Sequence, residues 1–390
     1  PTLRLTDLPK IKPAALLDLF GFDPERTYDR YDHVSAAAYL DGLNFPSEAR
    51  RMLFEVFAHS FFNPEEAMSA GELLMMFHFY FTGNPEGLVF DVLDEPFSTA
   101  VFTPMARYLR ERGVDLRLGH TVTGLSEADG VYNVTAVADG NTEAHAADAV
   151  VLAVTVPALR ALADRSPILA RGTLGRAVQS LGVTSPFAVL REWLDRPTRP
   201  DRAAFVGTAG LGLVDNISLY HLFEGESRRW AERTGGSVVE VHAYGLPEGT
   251  AEEDIRRNFR AVTEELYPEL RGARVLHDRF LLAQDCPAFA PGSHRSRPGV
   301  TTDAPNLYLA GDFVKLPFPS ALMERAVSSG FLAANEVLRR AGLPEEPVRA
   351  IPARGLLKDP AQRPAAFAPS PSATTDRWRS RRWPWASRRA

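Results

Sequence analysis

Cysteine is almost missing from this chain: Cys286 is the single one in 390 residues, so no disulfide can form within it. That usage fits a reducing cytoplasm, which is the expected location. Cys286 lies in QDCPAF ahead of a turn, with no marked His or Asn partner, and reads as structural rather than nucleophilic. Long apolar runs are missing too. No stretch approaches the roughly 18 consecutive apolar residues of a membrane-spanning helix, so any membrane contact is expected to be peripheral. No Cys/His cluster has metal-ligand spacing, and no metal is expected. Neither a GxSxG elbow nor a phosphate-cradling Gly-Lys-Ser/Thr loop is present. An excess of positive charge is also lacking. The net charge of −5 argues against nucleic-acid binding, while 45% hydrophobic residues fit a folded chain with a substantial core.

What is present is concentrated in Asn306–Asn335, NLYLAGDFVKLPFPSALMERAVSSGFLAAN. The run LYLA ending in Gly311-Asp312 reads as a buried parallel strand that stops at a tight turn. After a Pro/Ser-rich loop, Ser320 opens a helix with Leu322, Ala326, Val327, Phe331, Ala334 and Leu338 at helical spacing, and Gly342 and Pro344 end it. A strand end facing a helix N-terminus suits an anionic or hydroxyl-rich ligand, because unpaired amides and the helix dipole both favour negative charge there. Asp312 is placed to accept hydrogen bonds from ligand hydroxyls, and the amides near Leu322 and Met323 to reach a carbonyl or phosphate oxygen.

Along the rest of the chain the period changes twice. Up to residue 112 the pattern is helical: Lys12–Phe20, Ser35–Leu40, Pro46–Phe62 and the dense apolar stretch Leu73–Phe81, LLMMFHFYF. That last stretch reads as a buried helix, as one wall of an apolar substrate tunnel, or as both. From Val114, VDLRLGHTV, VYNVTAVA and DAVVLAVTV read as strands, punctuated by Asp129-Gly130 and Asp139-Gly140-Asn141. The third is apolar enough to be buried on both faces. Between 181 and 283, five more strand-like runs surround one amphipathic helix, EEDIRRNFRAVTEELYPEL, whose stripe is Ile255, Phe259, Val262 and Leu266. Gly207, Gly210 and Gly212 read as a sheet turn. After Val348 apolar periodicity disappears and a disordered tail is expected; its end interleaves Arg with Trp378, Trp383 and Trp385, either an anchor for an anionic membrane or a non-functional extension.

Several side chains invite a catalytic reading, and each has a plainer one. His78 faces a substrate or is a hydrogen-bonded core histidine. Asp91, Asp94 and Glu95 stabilise a transient cation or are solvated loop carboxylates. His294, Arg295 and Arg297 sit beside a phosphate or in a solvated loop. The plainer reading is preferred for all of them, and the catalytic residues remain unknown.

LYLAGD, the Met-Glu pair and AVxSGxxAAN resemble the C-terminal FAD-binding segment of the FAD-dependent amine oxidase and phytoene desaturase superfamily. GVDLRLGHTVTGL and DAVVLAVTVPAL resemble its adenine-contacting segment and the strand returning to the flavin domain. GELLMMFHFYFTGNPEGLVFDVLDEPF and GTAGLGLVDNISLYH are most similar to the isorenieratene synthase branch, which aromatises carotenoid end rings. The resemblance implies an α/β, two-domain fold with a discontinuous flavin domain and a substrate domain of mixed sheet and helices. It implies FAD as cofactor, an apolar carotenoid as substrate and peripheral contact with a membrane. By the same resemblance, Val122 contacts adenine through its backbone. Gly311 lets the backbone approach the pyrophosphate, Asp312 binds the ribityl or pyrophosphate region, and Leu322 and Met323 present amides to the flavin ring. Arg325 departs from the family, which usually has Gly there; its side chain either crowds the cofactor or reaches a phosphate.

The implied division is 1–112 mainly helical and facing substrate and membrane, 113–157 flavin-domain strands, 158–298 substrate domain, 299–345 C-terminal FAD-binding segment and 346–390 disordered tail. The family's GxGxxG turn, normally followed by an acidic ribose-binding residue, is not found in this sequence, and a fold truncated at its N-terminus is therefore expected. The expected function is FAD-dependent oxidation of a carotenoid, desaturating and aromatising β-type end rings. The rivals are another apolar-substrate or amine oxidase of the superfamily and a catalytically inactive fragment.

Overall fold

The structure, a computed structural model, describes residues 13–43, 50, 61–87, 89 and 91–356. Its N-terminal part is helical, and short polar caps start three of its helices. Helices α1 (Pro13–Phe20), α2 (Pro24–Tyr31), α3 (Ala36–Asp41) and α4 (Ala70–Phe77) follow one another. Asp23, Ser35 and Ser69 cap α2, α3 and α4 by accepting from the amides of Arg26, Ala38 and Gly71. A π-helical turn, His78–Thr82, extends α4. Leu73, Leu74, Met75, Met76 and Phe79 are buried in one cluster with Phe22, Leu40, Phe61 and Phe289, so the apolar stretch is core. The helix expected over Pro46–Phe62 lies almost wholly outside the described residues. A second π-helical turn, Ser98–Phe102, runs into α5 (Thr103–Arg110), and neither contains a buried residue.

Strands β1 (Thr121–Ala128), β2 (Val131–Ala138) and β3 (Asn141–Ala147) form a three-stranded antiparallel sheet. Asp129-Gly130 and Asp139-Gly140 make its turns, all four at positive φ (54°, 81°, 50° and 79°). Two expectations are corrected. The strand read from Val114 begins only at Thr121, after a turn at Gly119 (φ 72°). The sequence reading assigned no separate run to β3, whose residues NTEAHAA lack strong apolar alternation because its inner face, Glu143, His145 and Ala147, is only partly buried.

Next comes β4 (Val150–Leu152), which pairs in parallel with β10 (Leu307–Leu309) in a two-stranded sheet. The expectation that this strand is buried on both faces is corrected, since Val151 is 41% exposed. Its partner Tyr308 on β10 is nevertheless 2% exposed, so the exposure belongs to the β4 side of the pair.

Helices α6 (Val156–Ala163) and α7 (Gly172–Ser180) lead to the largest sheet. Its strands are β5 (Phe187–Leu194), β6 (Phe205–Leu211), β7 (Val214–Leu219), β8 (Ser237–Ala243) and β9 (Val275–Ala283). Their order is β6-β7-β8-β5-β9, antiparallel throughout. Gly210 and Gly212, at φ 73° and 60°, form the β6–β7 hairpin, as expected for a sheet turn. Helix α8 (Gly225–Thr234) sits between β7 and β8 in the chain. Helix α9 (Glu252–Leu266) buries Ile255, Phe259 and Val262 against Leu190, Val239, Val241 and Ala243. The last helix is α10 (Leu322–Arg340), starting two residues after Ser320.

The start of the expected tail is also corrected. Residues 346–356 are coil laid against the helical part: the Pro352 carbonyl meets His78 Nε2 at 2.8 Å, and the Gly355 amide donates to the Phe22 carbonyl at 2.8 Å. The Arg/Trp segment containing Trp378, Trp383 and Trp385 lies outside the described residues.

Candidate functional site

Strand β10 is fully buried and ends at Gly311, whose φ of 151° favours glycine and whose missing Cβ would sit 2.6 Å from the Phe313 ring. The Gly311 amide donates to Ser329 Oγ of α10 at 2.8 Å, so the strand end and the helix are tied directly. Asp312 follows; burial pushes its carboxyl up, and the neighbouring Arg325 cation opposes this. At the other side of the loop, α10 starts from Ala321, an N-cap with no side-chain hydrogen bond. Leu322 enters the helix at φ 49°, an uncommon geometry for a branched side chain. Ser320 Oγ is buried with no hydrogen-bond partner among the described residues. An uncapped 19-residue helix with an unpartnered hydroxyl at its entrance is equipped to receive an anionic or carbonyl oxygen.

Four of the five expected cofactor residues are therefore gathered around one strand-loop-helix unit: Gly311, Asp312, Leu322 and the 68% exposed Met323. Val122 lies elsewhere, on β1 at a register shift between Val122 and Gly124 opposite β2, and is 46% exposed. Its sheet joins the same core as the strand-loop-helix unit: Leu125 and Tyr132 share a cluster with Leu307, Leu309 and Phe313. Tyr132 also donates to the Pro305 carbonyl at 2.5 Å, fixing the sheet to the approach of β10.

The Arg325 side chain is committed to protein groups. It turns inward and is 3% exposed. Its Nη2 meets Glu72 Oε1 at 2.5 Å, its Nε donates to the Ser320 carbonyl at 2.8 Å, and its Nη1 donates to the Asp312 carbonyl at 3.3 Å. One guanidinium thus bridges both ends of the candidate loop. Glu72 also accepts from Arg297 Nη1 (3.3 Å) and from Tyr28 Oη (2.6 Å). Burial drives the Glu72 carboxyl up, yet Arg325 and Arg297 outweigh it and hold it at about 2. The reading of Arg297 as a solvated loop residue is corrected: it is 8% exposed and lies over Phe289, as does Arg325. His294 is stacked on Tyr28 with ring centroids 3.5 Å apart.

This cluster also corrects the expected buried stripe of α10. Arg325, Ser328, Ser329, Ala333 and Asn335 face inward, whereas Met323, Val327 and Phe331 are 68%, 55% and 48% exposed. Arg325, Ser329 and Asn335 hold the inner face because each finds a fixed partner there. Sequence reasoning missed Glu72, although a lone carboxylate within GELLMM is itself a signal that a buried cation waits nearby.

The remaining candidates keep their plainer readings. His78 is 0% exposed, bonded to Thr82 Oγ1 and the Pro352 carbonyl (both 2.8 Å), and stacked on Phe22. Asp91 and Asp94 are exposed, and Glu95 forms a bidentate pair with Arg229 at 2.7 and 2.9 Å. Burial, reinforced by Asp285 and Asp312, pushes the Cys286 thiol up to about 12, which suits a structural role. No group of acidic, His or Cys side chains among the described residues could hold a metal ion.

Residues 4–338 match the family model of flavin containing amine oxidoreductases. The chain is 41% identical over 355 residues to a carotenoid phi-ring synthase of Streptomyces griseus, covering 91% of this chain and 68% of that protein. A carotenoid phi-ring synthase of Chlorobaculum tepidum is 26% identical, with 90% of this chain and 72% of that protein covered. Two solved structures share the fold. Putrescine oxidase bound to putrescine has a TM-score of 0.62 at 16% identity, over 86% of this chain and 77% of its own. Cyclohexylamine oxidase from Brevibacterium oxydans IH-35A has a TM-score of 0.63 at 12% identity, over 88% and 77%.

The residues fit the cofactor this match implies. The uncapped start of α10 and the unpartnered Ser320 hydroxyl leave donors for a flavin nucleotide. By sequence match and by fold, the chain belongs to the flavin-containing amine oxidoreductase family, as a flavin-dependent oxidoreductase.

Proposed function

We propose that this protein is an FAD-dependent oxidoreductase acting on a carotenoid, desaturating and aromatising a β-type end ring. The observation that carries the reading is the 41% identity, across 91% of this chain, to a carotenoid phi-ring synthase. The site residues support it. Asp312 and the amides of Gly311, Leu322 and Met323 would hold the FAD, with Val122 taking the adenine end through its backbone. The bound flavin supplies a two-electron acceptor for hydride from a ring C–H bond. The chain's own part is to hold the ring against it, to exclude water and to manage protons. The division into flavin-domain segments at 113–157 and 299–345, with a substrate domain at 158–298, belongs to this reading.

A carotenoid has no charge to anchor it, so its binding is driven by apolar burial, at roughly 25 cal/mol per Å² removed from water. Such a substrate resides in lipid, and the proposal includes peripheral association with a membrane surface. No described helix is long and apolar enough to cross a membrane. The test is to supply the flavin-loaded enzyme with β-carotene in liposomes, and separately with putrescine, and to follow flavin absorbance anaerobically. Bleaching by β-carotene is expected. Bleaching by putrescine alone would assign the protein to the amine oxidases instead.

A further inference from the structure

The large sheet has two unlike faces. Along β8, Val239, Val241 and Ala243 point to α9, while Glu240 and His242, followed by Tyr244 just past the strand end, point the other way. Register places Asn216 of β7 and Val189 of β5 beside His242, and Arg191 beside Glu240. Phe187 and Leu281 share that second face, and Phe205 lies on it at 61% exposure. Apolar side chains thus flank a polar line that runs across this face.

That line is continuous. Asn216 Nδ2 donates to Tyr244 Oη at 3.1 Å, Tyr244 Oη donates to His242 Nδ1 at 2.8 Å, and His242 Nε2 donates to Glu240 Oε1 at 2.8 Å. Arg191 Nε closes it by donating to Glu240 Oε2 at 2.6 Å. Burial pushes the Glu240 carboxyl up, but His242 and Arg191 outweigh it and hold it at about 2, so it stays an anion. Burial, reinforced by Asp215 and Glu240, holds the Tyr244 phenol at about 12, so it rests neutral. With Asn216 donating to the phenol oxygen, the phenol proton is directed at Nδ1, which fixes the imidazole as its Nε2–H tautomer.

The line also ends at the right place. The Tyr244 ring meets Phe62 edge-on at 4.5 Å, and Phe62 meets Phe187 at 5.0 Å. Asn63, next to Phe62, accepts from the Phe289 amide at 3.1 Å, and the Arg325 guanidinium that donates to the Asp312 carbonyl lies 4.8 Å over the Phe289 ring. The Phe62 end of the line is thus linked through Asn63 and Phe289 to the loop proposed above to hold the flavin.

Resting on the proposed function, we infer that Tyr244, His242 and Glu240 are the proton-accepting relay of the ring desaturation. In each desaturation a bound flavin would accept the hydride, and Tyr244 Oη would take the proton from the adjacent carbon. The electron pair of that second C–H bond becomes the new C=C bond. Tyr244 passes its own hydrogen-bonded proton to His242 Nδ1 in the same movement, and the imidazolium formed is stabilised by the Glu240 carboxylate. Oxidant and base are then both accounted for, and no further co-reactant is needed. The groups that face His242 are Glu240 and Tyr244 on its own segment, Asn216 and Asp215 from β7, Arg191 and Arg279 from β5 and β9, and Tyr220 and Glu224 beyond Arg191.

The experiment uses the flavin-loaded enzyme and its Tyr244→Phe, His242→Gln and Glu240→Gln variants. Anaerobic flavin reduction by β-carotene in phosphatidylcholine vesicles is followed from about pH 5 to 9. In parallel, imidazole ¹⁵N–¹H spectra are recorded without substrate. Tyr244→Phe keeps the ring against Phe62 and should fold. Expected is a loss of about 100-fold or more in reduction rate for Tyr244→Phe and His242→Gln. The acid-side fall of the wild-type rate should vanish in His242→Gln. The Nε2–H proton, far downfield when donated to a carboxylate, should move upfield in Glu240→Gln. Variant rates within about twofold of wild type, with an unchanged pH profile, would overturn the relay. If β-carotene fails to reduce even the wild type, the functional reading fails and the spectra decide alone. An Nε2–H resonance indifferent to Glu240→Gln and Tyr244→Phe then removes the relay as well.

Discussion

Glu72 Oε1 and Arg325 Nη2 lie 2.5 Å apart, both essentially excluded from solvent, and join the apolar helix α4 to the first turn of α10. Arg325 also holds the Ser320 and Asp312 carbonyls, so α4 is tied through one guanidinium to the loop proposed to hold the flavin. A buried charge cluster is weak evidence of stability in itself, but breaking one partner strands the others.

Glu72→Gln should therefore destabilise the protein by about 3–5 kcal/mol, since Arg297 and Arg325 lose their common anion. The carboxyl is held at about 2 in the fold, against roughly 4.3 unfolded, so its contribution is full above about pH 4.3 and lost as pH falls toward 2. Denaturant titrations of wild type and variant should converge on acidification. Curves separated by the same amount at pH 7 and pH 2 would remove this pair from the account.

Histidines set an earlier acid limb. Burial, helped by the Arg297 cation, holds His294 at about 4, and burial lowers His78 and His221. All three are depressed, so the stability tied to their neutral forms is present above about pH 6.5 and lost as pH falls through their folded values. Thermal unfolding should show Tm dropping from about pH 6.5 downward, and His294→Gln should shallow that slope. A Tm independent of pH between about 6.5 and 4.5 would contradict the burial of these rings.

Flavin occupancy tests the strand-loop-helix site. Asp312→Ala removes an acceptor, worth about 1–3 kcal/mol for a hydrogen bond to a charged group, and should lower the flavin-to-protein ratio after gel filtration. Gly311→Val should lower it further, because its Cβ meets the Phe313 ring at 2.6 Å. Its Tm must be read alongside, since the clash acts on the fold too. Arg339→Ala, on the exposed end of α10 beside Glu336 and Glu345, serves as control and should retain full occupancy. Equal occupancy in all three would displace the site.

Phe259→Ala tests the sheet cover separately. Phe259 is 1% exposed between α9 and β8, and truncation should cost about 3–5 kcal/mol. The cavity opens on the α9 side, so the line of hydrogen bonds on the other face should keep its imidazole spectrum. Loss of that spectrum without unfolding would show that the two faces are coupled.

The legible parts of this protein were those whose cause is local. Asp129-Gly130 and Asp139-Gly140 announce hairpins because only residues tolerant of positive φ make those turns, and the structure shows them there. The stripe of Ile255, Phe259 and Val262 announces a surface helix because its period matches one buried face. LYLAGD and the helix after it announce a strand end opposed to a helix start, and this unit carried the family resemblance that the comparisons bear out.

What stayed hidden depends on partners far along the chain. Glu72 and Arg325 are 253 residues apart, and neither residue alone says that the other will neutralise it. That pairing, with Ser329 on Gly311, turned the polar side of α10 inward and left Val327 and Phe331 outside, against the apolar period. Tyr244, His242 and Glu240 alternate in SVVEVHAYG as three same-face positions. Their order became a directed line only when Asn216 and Arg191 arrived on neighbouring strands. Local sterics and periodicity are properties of a segment and can be read from it. Which buried charge meets which, and which sheet face stays open, are decided by the packing of segments against each other.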